Sequence, residues 1–363
     1  MSAAARTRVE VPPGVQCFVG EEARRRRALE RAVLGVFDGW GYEEIIPPLF
    51  DFADVFAGPA LEARTYSFVG RDGSLLALRP DFTSLIAKMV GGRLAGRPRP
   101  LRLFYAGEVL RYETPKAGRQ SELYQVGLEH IGGVAPEADA EVLAVAAEGL
   151  QAAGVSEYVL ALGHVGVFAG LLEGTPLEPL ALERLRERVD VKDAPGAAAV
   201  LRGAGAPARL AEAVARLAGL GGEPDALDEA RSLCAFSAPA QAAVEELAAI
   251  TGGLAGAGLG ARVRVDLTEV RGLDYYTGLL FRVYAPGLGF ELGGGGRYDT
   301  LLGRFGTPSP AVGFSFGLDR LALALERNGA AAPAEAPAVE AGGLADARRL
   351  RASGTRVRVG RAR

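Results

Sequence analysis

The sequence predicts an α+β fold: a mostly antiparallel sheet flanked by helices, with a helical insertion dividing its two halves. Three observations carry this. An amphipathic helix opens the chain. Short runs of strand character recur over residues 75–131 and again over 262–316. Between them, residues 177–258 turn to alanine, leucine, glycine and charge, with no strand pattern.

The opening helix shows itself through Leu29, Ala32, Val33, Val36, Phe37 and Trp40, spaced i, i+3, i+4, i+7 along one stripe. Arg24 to Arg27 precede it, with Glu21, Glu22 and Glu30 alongside, so they read as a solvated, ion-paired face rather than a nucleic-acid contact. Residues 43–50 read as a short strand that Pro47 and Pro48 confine to an edge or terminate. Leu75 to Leu78 is strand-like, and Pro80 suits the first position of a helix covering Ser84 to Val90.

Leu101 to Tyr105, Glu108 to Tyr112 and Leu123 to Ile131 are further strand candidates. On the last, Val126, Leu128 and His130 share one face, and Gln125, Gly127 and Glu129 the other. Two polar side chains with a glycine between them leave a polar floor with room above it, as a small-ligand site requires. A half-exposed strand with its polar face in water fits the same pattern.

Ala138 to Ala153 is helical and Glu157 to Ala161 a strand. In the insertion, residues 203–208 loosely match a dinucleotide fingerprint, but no strand precedes them and Pro207 interrupts them. Strands return at Arg262 to Leu267, Tyr275 to Tyr284 and Ala311 to Phe316, followed by a helix from Asp319 to Arg327. Ala330 to Val339 has linker composition. Residues 342–363, with seven arginines and one aspartate, read as a basic, solvated end. The expected division is a core of residues 1–175 and 259–328, an insertion of 176–258, and a linker with a short tail over 329–363.

Composition excludes several functions. The 363 residues carry 41 Lys+Arg and 44 Asp+Glu, a net −3, which supplies no field for bulk nucleic-acid or membrane binding. No apolar run reaches the roughly 18 residues of a spanning helix, and no apolar signal region follows the early arginine, so a soluble, cytoplasmic protein is expected. Cys17 and Cys234 are the only cysteines, and His130 and His164 the only histidines. A disulfide framework, a thiolate zinc site and a His-rich metal centre are not expected, nor is any cofactor. No P-loop motif is present.

Two groups of side chains suggest a site. Arg111, Arg119, Arg271 and Arg320 lie beside strand patterns, with Glu113, and guanidinium forks suit phosphate or carboxylate recognition. Asp81 with Thr83, and Glu129 with Gln125, can hold an ammonium group through paired carboxylates and oriented hydrogen bonds, or form a general acid/base pair. His164 follows an apolar strand and reads as structural. The most specific stretches are residues 271–278 and 293–299. Tyr275 and Tyr276 offer flat walls and phenolic donors, and the glycine run lets backbones approach closely.

At these residues the chain resembles the catalytic core of histidyl-tRNA synthetase. The likeness is carried by residues 266–278, 294–299 and 310–321, by Leu78-Arg79-Pro80-Asp81-Phe82-Thr83 and by residues 107–132, and it runs over 12–328. It implies the class II aminoacyl-tRNA synthetase fold, with dimerisation through the early helix and the strand around Pro48. It also implies histidine-binding roles for Asp81, Thr83, Gln125, Glu129, Tyr275 and Tyr276. Arg111, Glu113, Arg119 and Arg320 match the ATP-binding residues, and Arg271 matches the arginine that assists histidine activation.

Departures from that pattern redirect the expectation. No anticodon-binding domain is expected after the core, and Asp81, Ser121 and Glu122 stand where synthetases usually carry glutamate, arginine and glutamine. Residues 162–168 and 266–271 are similar instead to the synthetase paralogue that is the regulatory subunit of ATP phosphoribosyltransferase. This resemblance implies a non-enzymatic subunit with no catalytic residue, whose ATP or anion site is vestigial or retained. Its partner would be the short-form catalytic phosphoribosyltransferase, in a hetero-oligomer containing a homodimer of this chain. Histidine would be the effector, giving activity and feedback inhibition at the first step of histidine biosynthesis, with no tRNA and no membrane partner. The alternatives are a free-standing histidine-adenylating enzyme, a truncated histidyl-tRNA synthetase, and a scaffold indifferent to histidine.

Overall fold

A computed structural model describes residues 10–112, 120–268, 276–327 and 338–360. In chain order the elements are α1 (Gly20–Gly39), β1 (Glu43–Glu44), β2 (Phe50–Phe52), α2 (Pro59–Glu62), β3 (Ser67–Val69), β4 (Leu75–Leu78), α3 (Thr83–Gly91), β5 (Leu101–Leu110), β6 (Glu122–Ile131), α4 (Glu137–Ala152), β7 (Val159–His164) and α5 (Val165–Leu172). The insertion follows as α6 (Pro179–Asp190), α7 (Ala194–Gly203), α8 (Ala208–Gly219), β8 (Gly221–Gly222), α9 (Ala226–Cys234) and α10 (Ala238–Gly256). The chain then returns through β9 (Val263–Asp266), β10 (Leu279–Tyr284), β11 (Gly293–Arg297), β12 (Ala311–Gly317) and α11 (Leu318–Arg327), and closes with β13 (Val339–Ala341), α12 (Leu344–Ala352) and β14 (Val357–Val359).

Among the described residues nine strands form one sheet in the order β1-β5-β6-β12-β11-β10-β7-β9-β8. The run from β5 to β7 is antiparallel throughout, and parallel pairing occurs at β1–β5 and β7–β9. Directly opposed residues of an antiparallel pair share a face. One face therefore gathers Phe104, Val126, Leu128, Val312, Phe314 and Phe316, packed against Leu29, Val33 and Phe37 of α1 and Val142 and Ala146 of α4. The same apolar core continues into the insertion through Leu201, Val214 and Leu247. The opposite face carries a smaller cluster, in which Phe82, Ile86 and Val90 meet Leu103, Tyr105 and Tyr298.

The first helix matches its periodicity, and its arginines are paired: Arg25 with Glu21 at 2.6 Å, Arg27 with Glu30 at 2.6 Å, and Arg26 with Asp319. Trp40 lies just past the helix end, where its indole N–H donates to Glu148 at 2.7 Å. Strand β1 is the sheet edge that the prolines imply.

Several expectations are corrected. Pro80 does not open α3, which starts at Thr83; Asp81 does the capping, accepting the Ser84 N–H at 2.8 Å. The two strands expected over residues 101–112 are one strand ending at Leu110. The strand expected from Tyr275 begins at Leu279. The insertion, expected to lack strands, contributes β8, a two-residue pairing on β9. The basic end is not featureless, because β13 and β14 pair in parallel around α12. A separate three-stranded sheet, β2-β4-β3, was not foreseen. No helix among the described residues is long and apolar enough to cross a membrane.

Candidate functional site

The site grows from the sheet face that turns away from α1 and α4. Strand β6 places Gln125, Gly127 and Glu129 there, and β12 places Gly313 directly opposite Glu129. Space dictates that glycine: a Cβ at 313 would sit 1.7 Å from Glu129 Oε2 and 2.6 Å from the Leu128 carbonyl oxygen. A Cβ at Gly127 would likewise meet the Tyr105 hydroxyl at 2.6 Å. Small residues on this face open a trough, and Glu129 fills its end.

Glu129 is 1 % exposed. Its Oε1 accepts from the Thr83 hydroxyl at 2.8 Å, with the Tyr105 hydroxyl 3.5 Å away, and the Tyr298 hydroxyl donates to Oε2. Burial pushes the carboxyl up to about 8, against the opposing pull of the Tyr298 and Thr83 hydroxyls; the nearby Asp81 adds to the rise. A carboxyl titrating near neutrality both donates and accepts, so it suits a ligand group that does the same, as imidazole does.

Thr83, Tyr105, Glu129, Tyr276, Tyr298 and Ser315 line a chamber of about 60 Å³. Through Tyr276, Gly294, Gly295 and Ser315 it adjoins a second chamber of about 270 Å³, which Gln125, Arg111, Arg282, Glu291 and Arg320 also line. Gln125 Nε2 donates to Ser315 Oγ at 3.2 Å, at the junction of the two. Arg320 donates to Glu291 Oε1 at 2.7 Å and to its carbonyl oxygen at 2.8 Å, and Arg282 lies 3.9 Å from Glu291 Oε2. Burial raises the Glu291 carboxyl, but Arg320, a backbone hydrogen bond and Arg282 together exceed it and hold the group below its ordinary range. Arg111 Nε donates to the Pro80 carbonyl at 2.8 Å. Three guanidiniums line this chamber against two carboxylates, Glu291 and Asp319, the second of which is already bound by Arg26, so the chamber suits an anion.

The structure thus brings together Thr83, Gln125, Glu129 and Tyr276, and sets Arg111 and Arg320 in the adjoining chamber. Asp81 stands apart in role: both its oxygens are engaged by Ser84, at 2.8 Å and 3.2 Å, and burial raises its carboxyl. Glu113, Arg119, Arg271 and Tyr275 lie outside the described residues. Sequence reasoning missed Tyr298, Tyr105, Arg282 and Glu291. Tyr298 had a signal, since it lies within the stretch 293–299. Its neighbours there are structural: Arg297 binds the buried Asp139 at 2.7 Å and also Asp299 at 3.1 Å, tying β11 to α4. His130 faces the other way, 3.7 Å from Glu141, and burial lowers its pKa.

The histidyl-tRNA synthetase family profile matches residues 14–321. An ATP phosphoribosyltransferase regulatory subunit from Desulforamulus reducens is 40% identical over 316 residues, covering 87% of this chain and 79% of that protein. One from Moorella thermoacetica is 39% identical, covering 96% and 91%. Among solved structures, an ATP phosphoribosyltransferase regulatory subunit/histidyl-tRNA synthetase from Bacillus halodurans superposes with TM-score 0.87 at 29% identity, over 98% of this chain and 93% of that one. A histidyl-tRNA synthetase from Nostoc sp. PCC 7120 gives 0.82 at 21% identity, over 98% and 86%, and shares the fold. The chain belongs to the family of ATP phosphoribosyltransferase regulatory subunits, built on the histidyl-tRNA synthetase fold.

Proposed function

We propose that this chain senses histidine for a short-form catalytic ATP phosphoribosyltransferase, in the cytoplasm, and conveys feedback inhibition at the first step of histidine biosynthesis. The observation that carries the reading is the buried Glu129, held by Thr83 and Tyr298 at the end of a small chamber that opens toward arginines. A carboxyl near 8 and an imidazole, ordinarily near 6.5, titrate close enough to share a proton, so the pair forms without stranding a buried charge. The ligand carboxylate then points toward Arg111, Arg282 and Arg320, and Gln125 serves its ammonium group. Tyr276 lines both chambers; a histidine-binding role for Tyr275, an assisting role for Arg271 and anion-binding roles for Glu113 and Arg119 are part of the same proposal.

Regulation needs histidine to bind two assembly states unequally, with a coupling typically of about 1–3 kcal/mol. A homodimer within the hetero-oligomer supplies such states. Support for a second copy comes from β2-β4-β3, where Phe52, Leu76 and Phe68 are paired across one face and Phe50 and Phe52 are about half exposed. The adjoining Ile46 is 81% exposed.

The test is reconstitution with the catalytic subunit. Histidine should inhibit the wild-type complex, whereas Glu129→Gln should assemble normally and resist inhibition. Equal inhibition of both complexes would overturn the pocket assignment. The arginine-lined chamber also favours a second reading, histidine adenylation; histidine-dependent pyrophosphate exchange by the isolated chain would establish it.

A further inference from the structure

We propose that a cleft between α5, α6 and α10 is where the catalytic subunit docks, and that it receives a lysine or arginine side chain from that partner; this rests on the regulatory reading above. The cleft measures about 720 Å³ and shares no lining residue with either chamber. Its polar end is His164 with Glu246, and its walls include Ala169, Leu172, Leu182 and Ala242.

The polar end is built rather than incidental. His164 closes β7 and caps α5, its Nδ1 accepting the Gly166 N–H at 3.1 Å. That bond leaves the ring proton on Nε2, which donates to Glu246 Oε1 at 3.0 Å. Gly166 makes room for the ring, since a Cβ there would lie 2.9 Å from it. At Gly170 a Cβ would lie 2.4 Å from the Ala240 backbone nitrogen, so glycine lets α5 approach α10 and brings Glu246 within reach. The imidazole N–H holds Glu246 below the ordinary carboxylate range despite its partial burial, so the carboxylate remains charged.

Aliphatic walls leading to an anionic end match the shape of lysine and arginine, an apolar stem with a cationic head. Charge agrees, because Glu173 joins Glu246 on the lining against the single cation Arg186. Location agrees as well. Residues 162–168, where the sequence turns away from synthetases toward regulatory subunits, supply His164 and Gly166.

The experiment measures binding of the purified short-form catalytic subunit to the full chain, to Glu246→Gln and to Ala242→Arg. The first variant removes the anion and the second puts a rival cation in the cleft from an exposed position on α10, where folding is undisturbed. Partner affinity should fall at least tenfold in both, with histidine affinity and Tm unchanged. Wild-type partner affinity in either variant overturns the proposal, as does a loss of histidine affinity parallel to the loss of partner affinity. Failure of the wild-type chain to bind the catalytic subunit at all would instead sink the functional reading itself.

Discussion

The two adjoining chambers share Tyr276, Gly294, Gly295 and Ser315, yet they treat a carboxyl group in opposite ways. Glu129, 1 % exposed and surrounded by hydroxyls, is pushed up to about 8. Glu291, with a side chain 32% exposed and Arg320 at 2.7 Å, is drawn below its ordinary range. Burial wins at Glu129, whose hydroxyl partners are neutral, and at Glu291 it is exceeded by the combined pull of Arg320, Arg282 and a backbone hydrogen bond. One chamber is thereby tuned to a group that shares a proton, and the other to a permanent anion.

The largest effect should come from crowding the first chamber. Gly313→Ala places a methyl where Glu129 Oε2 stands, 1.7 Å away. It should abolish histidine binding by calorimetry and lower unfolding free energy by about 1–3 kcal/mol in urea titrations. Near-normal binding would mean that the strand can shift to admit the methyl.

Next in size is a pH effect. The unfolded chain releases the Glu129 proton near 4.5, while the folded chain holds it to about 8. Between those values the native state binds more protons, so stability falls as pH rises, at a limiting slope of about 1.4 kcal/mol per pH unit. Glu129→Gln should flatten that decline when urea unfolding is followed from pH 5 to 8; parallel curves would contradict the raised pKa. Glu291 should trend the other way, its contribution present above its ordinary pKa and lost as pH falls.

Smaller changes should follow in the second chamber. Arg320→Met should weaken pyrophosphate binding about threefold to tenfold, while unfolding free energy moves by less than about 1 kcal/mol, because both side chains of the pair keep about a third of their surface in water. A large stability loss would mean that Arg320 serves the fold more than the ligand. The smallest effect belongs to the helix surface: Arg25→Gln, on the exposed pair with Glu21, should leave Tm and histidine affinity unchanged.

Much of the architecture was legible because periodicity reports burial directly. The stripe on α1 and the two-faced β6 kept the sides that the sequence assigned to them, and the glycine run proved to be strand β11. Strands β2 and β3 were hidden because they are only three residues long, too short to show a period, and their aromatics are exposed. Helix α5 was hidden because its apolar run has no polar face to reveal a period. In the site, residue type and local pairing marked Glu129 and Gln125. Tyr298 could not be assigned because its partner lies 169 residues away in sequence. Asp81 shows the converse limit: a carboxylate three residues before Ser84 fits both a ligand and a helix cap, and only the fold distinguishes them.

Calorimetric titration of histidine into the full chain and into Glu129→Gln tests the central claim most directly. The account predicts saturable binding to the wild type and an affinity roughly tenfold to a hundredfold lower in the variant, the cost of losing a hydrogen bond to a charged group. Equal affinities, or no binding to the wild type, would contradict it.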